Sequence, residues 1–284
     1  MKVTDAMTPR SALVTVELPG SRDDALEYLQ EREFSSVPVI KNENGTETFR
    51  GLVSREGLIE NPDEDQLALL LEEVPTTTEE TSIEELAGLM LRKSARRVPV
   101  VDGRLEGIVT ITDVIRAIAN GEVAGDAEIG DLAARHINSV YAGTPLPVAE
   151  RELHYADEPY AIVLDEEADT CGILTAVDVI EVAKVVEGEE RTGDSMASDD
   201  DDWKWESIKA VGSRYLPTRN VEIPTAPVEE FMTEDVVTVT KQRTAQEAAQ
   251  LMIRHDIEQL PMMAGDELVG IVQDTHLLEA LDER

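Results

Sequence analysis

Two segments of the chain have the residue types and spacing of a ligand site at the start of a helix. They read GIVTITD at residues 107–113 and GILTAVD at 172–178. Each apolar run is typical of a strand, and the helical pattern that follows exposes backbone amides that favour an anion. At the first, Asp113 could accept hydrogen bonds from both ribose hydroxyls, and Thr110 could bond phosphate or ribose. Alternatively, Asp113 caps the helix and Thr110 only fills a strand position.

Five cations fall within 13 residues around the start of an apolar strand, a stretch with a single acid, Asp102: Arg92, Lys93, Arg96, Arg97 and Arg104. Cations in the last turn of a helix interact favourably with its dipole, which accounts for Arg92 and Lys93. Arg96 and Arg97 stand at the entry to the strand, where this explanation fits less well. A guanidinium there is suited to bidentate, charge-assisted bonding of phosphate.

The elements that would position these residues recur four times along the chain. Each segment has a short opening strand, an amphipathic helix, an apolar strand, a turn, a second apolar strand and a helix. Ser82 with Glu85, and Thr244 with Glu247, form capping boxes that start the first helix in two of the segments. A unit of about 60 residues is too small to bury both faces of its sheet, so we expect the units to pack in pairs.

This order of elements, with an hPhh strand and a G-h-h-[ST]-x-x-D junction, resembles the cystathionine-β-synthase-type (CBS) repeat. Two CBS repeats form a Bateman module, and four are similar to the γ subunit of AMP-activated protein kinase and to stand-alone archaeal CBS proteins. The resemblance implies an α+β or α/β fold of four β-α-β-β-α repeats paired into two Bateman modules. The expected segments are repeat 1 at 1–60, repeat 2 at 66–121, repeat 3 at 128–186, an acidic loop and linker insert at 187–226, and repeat 4 at 227–284.

The resemblance also implies roles for individual residues. In the family, an arginine three residues before the strand proline reaches the ligand phosphates. Here that arginine is Arg96, three residues before Pro99, and Arg97 is a weaker candidate for the same contact. The hydroxyl and carboxylate of the junction would hold ribose or phosphate, and the opening strand would contact adenine through its backbone. These further positions are Thr110, Asp113, Thr76 and Thr77 in repeat 2, and Thr175, Asp178, Asn138 and Ser139 in repeat 3.

The repeats depart from this pattern in different ways. Repeat 3 has Pro159 and Tyr160 in place of the two arginines, which predicts a less anionic ligand. Repeat 1 has Gly57 in place of the aspartate, and repeat 4 has Gln273 and His276 in place of threonine and aspartate. We expect one working site per module, governed by Asp113 and Asp178, with the first favouring phosphate.

Composition excludes several classes of protein. The 284 residues carry 25 Lys plus Arg against 60 Asp plus Glu, a formal charge of −35 that disfavours nucleic acid and anionic membranes. Such acidity resembles proteins of halophilic archaea, where molar salt shortens the Debye length to about 3 Å. No apolar run of about 18 residues and no signal peptide are present, so a cytoplasmic protein is expected.

The same composition predicts no metal site and no enzyme. The single cysteine, Cys171, and four separated histidines give no metal-ligand spacing, and no nucleophile–base pair or glycine-rich phosphate loop is evident. The prediction is a non-catalytic regulatory module without a cofactor, binding AMP, ADP or ATP between paired repeats and signalling to an unidentified protein. Alternatives are a sensor of S-adenosylmethionine or methylthioadenosine, and an interaction scaffold with vestigial sites. The modules could also join two chains as a homodimer.

Overall fold

The computed structural model describes residues 1–31, 36–43, 45–54, 57–58, 61, 64–182, 184–185, 208–210, 214–216 and 221–282. Ser35, which repeat 1 has in the place of Arg96, lies outside these residues, as does most of the insert at 187–226. No helix among the described residues is both long and apolar enough to cross a membrane.

Within the described residues, the predicted order of opening strand, helix and two-stranded hairpin is found along the chain. The helices are α1 (Val3–Ala6), α2 (Arg22–Glu31), α3 (Ile83–Lys93), α4 (Ile111–Asn120), α5 (Ile129–Leu132), α6 (Leu146–Ala156), α7 (Ala176–Val182), α8 (Ala245–His255) and α9 (Asp274–Asp282). The strands are β1 (Thr8–Pro9), β2 (Val16–Leu18), β3 (Ser36–Glu43), β4 (Thr46–Ser54), β5 (Arg97–Asp102), β6 (Arg104–Thr110), β7 (Ser139–Tyr141), β8 (Tyr160–Leu164), β9 (Thr170–Thr175), β10 (Lys184–Val185), β11 (Ile208–Ala210), β12 (Arg214–Leu216), β13 (Val221–Glu222), β14 (Gln259–Ala264) and β15 (Glu267–Gln273).

Repeat 2 shows how the local sequence builds one unit. Its opening strand forms a parallel bridge between Thr77 and Val100, and β5 pairs antiparallel with β6. The tight turn between them contains Gly103 at a φ of 73°, which glycine adopts without steric cost. Arg97 lies opposite Thr110, so the start of β5 and the start of α4 are brought to the same end of the hairpin.

The same pairing occurs in the other three repeats. A parallel opening strand and an antiparallel hairpin are formed by β2–β4, by β7–β9, and by a Val239–Met262 bridge with β14–β15. Every hairpin has a register shift at the same point, and the residue paired just before it is a glycine: Gly51, Gly107, Gly172 and Gly270. The recurring bulge identifies the four segments as copies of one structural unit.

These glycines are needed because another backbone crosses them. The crossing chain is the lead-in segment, which we define as the residues just before the opening strand of a repeat. A Cβ at Gly107 would lie 2.6 Å from the carbonyl oxygen of Thr8, and one at Gly51 would lie 2.8 Å from that of Glu72. The lead-in segments of repeats 1 and 2 thus pair reciprocally with each other's last strand, as a paired module requires.

The other two lead-in segments follow the same rule. Ala134, ahead of repeat 3, pairs with Ile271 in the last strand of repeat 4. Thr233, ahead of repeat 4, pairs with Ile173 in the last strand of repeat 3. Repeats 3 and 4 therefore exchange lead-in segments in the same way as repeats 1 and 2.

The chain divides into two compact units. The first comprises residues 1–55, 64–137 and 236–284, and the second comprises 56–63 and 138–235. In the second unit, a separate core is formed by one face of α6 and the strands around it, with Leu146, Leu153 and Val163 almost completely buried.

The core of the first unit is shared by the helices of repeats 2 and 4. Helix α3 packs against α9, and α4 packs against α8. Alanines at the contact allow the helices to approach closely, while larger side chains fill the space beside them. The buried residues include Ile83, Leu86, Ala87, Met90, Val114, Ile118, Ala245, Ala248, Ala249, Met252, Leu277 and Leu281.

One carboxyl group of the second unit is buried in α6. Glu150 is 3% exposed, and its Oε1 has no hydrogen-bond partner among the described residues. Burial raises the pKa of Glu150 to about 7, although nearby Arg151 acts in the opposite direction. The equivalent position, five residues after the helix N-cap, is Ala87 in α3 and Ala249 in α8. In α6 this position is Glu150.

The shared helical core predicts that enlarging a contact alanine destabilises the protein. Ala249→Leu should lower the free energy of unfolding by about 1–3 kcal/mol, because close-packed helices cannot accept the added methylenes without strain. Urea denaturation in concentrated KCl measures this effect. Arg254→Leu, on the exposed side of the same helix, is the control and should change stability far less; equal effects would show that α8 is not tightly packed.

Glu150 predicts a pH-dependent term in stability. The unfolded carboxyl ionises near 4.5 and the folded one near 7, so stability should fall as pH rises through this window. The loss should be about 3 kcal/mol by pH 8. Glu150→Gln should remove this slope while leaving stability at pH 4.5 nearly unchanged, as measured by denaturation across pH 4.5–8. Glu152→Gln, exposed on the same helix, should retain the slope.

Candidate functional site

The predicted threonine–aspartate pair of repeat 2 lies at the junction of β6 and α4. The backbone N–H and hydroxyl of Thr110 donate to Oδ2 of Asp113 at 2.9 and 2.8 Å. Arg116, which is 52% exposed, donates from Nη1 to the other oxygen, Oδ1, at 2.8 Å. Asp113 therefore caps the helix through one oxygen, and its second oxygen forms an ion pair with Arg116, a surface residue.

Repeat 3 builds the same junction without the surface arginine. Thr175 donates from its backbone N–H and its hydroxyl to Oδ2 of Asp178, both at 2.7 Å. Oδ1 of Asp178 has no partner among the described residues, whereas Oδ1 of Asp113 has one. In repeat 4, His276 takes the place of the aspartate and accepts the corresponding hydrogen bond: the N–H of Gln273 donates to Nδ1 of His276 at 3.0 Å.

Arg96 is brought to this junction by its own backbone. Its carbonyl accepts a hydrogen bond from the N–H of Ile111, the first residue of α4, at 2.9 Å. Its side chain extends to repeat 4, where Nη1 and Nη2 donate to the two oxygens of Asp274 at 3.2 and 2.5 Å. Nη2 also lies 2.8 Å from Oε1 of Glu258.

This cluster compensates a buried charge. Asp274 is 5% exposed, and its Oδ1 also accepts from the N–H of Thr275 at 2.7 Å. Burial disfavours the charged form of Arg96, but the hydrogen bonds and charges of Asp274 and Glu258 raise its pKa above the ordinary arginine value. A carboxylate buried to this extent requires such a partner, because an uncompensated buried charge is strongly destabilising.

The remaining residues predicted in repeat 2 lie beside this junction. Arg97 opens β5 opposite Thr110 and is half-buried. Thr77 is buried in the sheet, where its N–H donates to the carbonyl of Pro99 at 3.0 Å, and its own carbonyl accepts from Val101 at 2.8 Å. Thr76, next to it, is exposed at the end of the opening strand nearer to Arg97.

In repeat 3 the opening strand is offset from that prediction by one residue. Ser139 pairs with Ile162, and Asn138 uses its side-chain nitrogen to bond the carbonyl of Tyr160 at 3.0 Å. Counting from the register shift, Ser139 is therefore the counterpart of Thr76, and Thr77 corresponds to Val140. The run of threonines in repeat 2 carries no feature that distinguishes these registers.

The acids that hold Arg96 were not predicted as its partners. Glu258 occupies in repeat 4 the position of Arg96 in repeat 2, because its carbonyl accepts from the first helical N–H, that of Asp274, at 3.0 Å. The signal in the sequence was the presence of a cation, Arg96, and an anion, Glu258, at equivalent positions of the two repeats. Only the packing of repeat 2 against repeat 4 brings the two positions together, across 178 residues of chain.

A unit of opening strand, helix and hairpin that recurs four times, exchanges lead-in segments in pairs and, in repeats 2 to 4, is followed by a capped polar junction defines a tandem-repeat α+β protein. Residues 3–64, 68–120 and 228–283 match the family model for the CBS domain. These residues make up more than half of the chain, which therefore belongs to the CBS domain family. Repeat 3 is not among the matched stretches, although its elements and register are the same.

Known proteins share the fold over nearly the full chain. A crystal structure of an uncharacterized conserved protein from Pyrococcus horikoshii is 28% identical and covers 99% of this chain and 100% of its own, with a TM-score of 0.69. Protein MJ1225 from Methanocaldococcus jannaschii, proposed as an archaeal homologue of γ-AMPK, is 21% identical, with 99% coverage of both chains and a TM-score of 0.67.

A relative by sequence is the chloroplastic CBS domain-containing protein CBSX2 of Arabidopsis thaliana. It is 31% identical over 148 residues, which cover 40% of this chain and 62% of CBSX2. The chain spans 59–65% of the length of the first three curated relatives that it matches.

The Arg96 cluster predicts a coupled effect on stability. Arg96→Ala should lower the free energy of unfolding by about 1–3 kcal/mol, because Asp274 stays buried without its compensating charge. The double variant Arg96→Ala/Asp274→Asn should lose less than the sum of the two single variants. Urea denaturation at constant ionic strength measures all three. Arg254→Ala is the exposed control, and strictly additive losses would contradict the coupling.

Proposed function

We propose that this protein is a non-catalytic regulatory module that binds an adenine nucleotide, AMP, ADP or ATP, and passes its occupancy to a partner protein. The observation that carries the proposal is the convergence of Thr110, Asp113, Arg96 and Arg97 at one end of the β5–β6 hairpin. A ribose acceptor, a hydroxyl and two guanidinium groups at a helix N-terminus form a chemically suitable set for a nucleotide. The exposed end of the opening strand, at Thr76, adjoins them.

The hydrogen bonds of Asp113 support a role in ribose binding. Oδ2 is committed to the helix cap, whereas among the described residues Oδ1 is bonded only by exposed Arg116. An ion pair of this kind contributes at most about 1 kcal/mol, so a ribose hydroxyl can replace it at little cost. The aspartate can therefore hold the helix start and a ligand at the same time, one oxygen for each.

Two relatives support the choice of adenine nucleotide. CBSX2, the 31%-identical relative, has been solved in complex with AMP. MJ1225 carries a proposed homology to γ-AMPK. Extending the AMP of CBSX2 to this chain is part of the proposal.

A second candidate follows from repeat 3. Asp178 has the same cap, but no arginine among the described residues bonds its second oxygen, and Pro159 replaces the arginine at the strand entry. This junction suits an adenosyl ligand without phosphate, such as methylthioadenosine or S-adenosylmethionine. A scaffold with vestigial sites would bind none of these ligands.

Calorimetry with a panel of adenosyl ligands separates the candidates. The proposal predicts that AMP, ADP or ATP binds, that Asp113→Ala weakens both AMP and adenosine, and that Arg96→Ala weakens AMP by roughly tenfold to a hundredfold. Adenosine should be little affected by Arg96→Ala, because it carries no phosphate. Arg254→Ala, which removes a distant exposed arginine, is the control.

Three other results would overturn this reading or redirect it. Preference for methylthioadenosine or S-adenosylmethionine, abolished by Asp178→Ala, would favour the second candidate. Native mass spectrometry that finds neither a co-purified nucleotide nor binding of any panel member would favour the scaffold. Unchanged AMP affinity in Arg96→Ala would remove Arg96 from the site.

A further inference from the structure

We propose that Asp274, assisted by Glu258, determines how strongly the site in repeat 2 discriminates between phosphorylated and unphosphorylated ligands, because it competes with the ligand phosphate for Arg96. This inference rests on the proposed nucleotide function and names a specificity-determining residue for it. Asp274 belongs to repeat 4 and has no role in the ligand set assigned above.

The geometry of the cluster makes the competition unavoidable. A phosphate bound in the bidentate manner needs two parallel N–H groups of the guanidinium. Nη1 and Nη2 of Arg96 already donate to both oxygens of Asp274, and Nη2 is also within 2.8 Å of Glu258. An incoming phosphate must therefore displace at least one carboxylate or accept a poorer arrangement.

The two acids differ in how readily they can be displaced. The side chain of Glu258 is 54% exposed, so it can return to water at little cost. Asp274 is 5% exposed and is fixed at the start of α9, where its Oδ1 also accepts from Thr275. Because it cannot readily leave, Asp274 both occupies the arginine and repels an anion placed beside it.

A ligand without phosphate meets neither obstacle. Adenosine would use the junction at Thr110 and Asp113 and leave the bonds of Arg96 intact. The ratio of AMP affinity to adenosine affinity is therefore the quantity that Asp274 controls, whereas Asp113 affects both ligands. This distinction separates the inference from the proposed function.

Asp274→Asn tests the inference with little change of shape. Asparagine keeps the oxygen that accepts from the Thr275 N–H, but it loses the charge that holds Arg96. We expect AMP affinity to rise about tenfold and adenosine affinity to change less than about twofold, as measured by titration calorimetry at fixed ionic strength. Glu258→Gln should raise AMP affinity by a smaller factor, about twofold to fivefold, because this acid is exposed.

Two controls make the result specific. Glu247→Gln removes one negative charge from the same repeat at a residue that contacts Arg243 rather than Arg96, and it should leave the ratio unchanged. In Arg96→Ala/Asp274→Asn the increase in AMP affinity should disappear, because the guanidinium that Asp274→Asn releases for the phosphate is missing. If Asp274→Asn does not fold, as judged by circular dichroism, Glu258→Gln decides the test.

The outcomes distinguish the inference from the proposed function. If AMP and adenosine bind but Asp274→Asn leaves their ratio unchanged, or Glu247→Gln changes it equally, the inference is overturned while the proposed function stands. If no adenosyl ligand binds any variant, the proposed function fails. Inorganic phosphate then decides the inference: phosphate stabilisation against heat that is stronger in Asp274→Asn than in the original chain supports it, and equal stabilisation overturns it.

Discussion

Close crossing of one repeat by the lead-in segment of another organises this protein. The last strand of each hairpin has a glycine at the register shift, and a carbonyl of the crossing segment lies where a side chain would begin. The crossing adds backbone hydrogen bonds to a sheet that a unit of about 60 residues cannot cover by itself. It also explains why repeats 1 and 2 pair reciprocally, and why the lead-in segments of repeats 3 and 4 follow the same exchange. The glycine in the junction pattern is therefore a packing requirement, whereas the threonine and aspartate beyond it bond each other and cap the following helix.

The strand–helix junction is built in the same way in repeats 2, 3 and 4, although different side chains cap the helix. Asp113 and Asp178 cap their helices through a single oxygen, and His276 serves the same position with a ring nitrogen. Because one carboxylate oxygen suffices for the cap, the second can bond another group, as Oδ1 of Asp113 does with Arg116. Structural and ligand-binding roles of Asp113 are thus compatible, and the helix-cap interpretation and the ribose interpretation of the sequence do not exclude each other.

The positive cluster in so acidic a chain has a structural component. Arg96 neutralises Asp274, a carboxylate buried where repeats 2 and 4 meet, and it also contacts Glu258. Removing Arg96 leaves the buried carboxylate of Asp274 without compensation, which ties the chemistry at one end of β5 to the packing of helices from another repeat. A side chain that links two repeats and also faces a candidate ligand site is well placed to couple binding to their contact.

The sequence alone determined the repeat, its order of elements and the polar residues at each junction. Strand and helix periodicities are local, and the capping boxes at Ser82–Glu85 and Thr244–Glu247 formed as their spacing predicted. Four copies in one chain also revealed by comparison which positions differ, such as Pro159 in place of Arg96. The register of the opening strand of repeat 3 could not be predicted, because its neighbouring polar residues show no alternation of polar and apolar positions.

Only the tertiary structure decided what Arg96 contacts and which helices share a core. Its partners lie 162 and 178 residues further along the chain, in a repeat that only the packing of the helices brings against this one. The same is true of Glu150, which reads as one more surface acid but is buried in α6 with a raised pKa. Local patterns fix local structure, whereas the surroundings of a charge depend on distant segments that burial brings together.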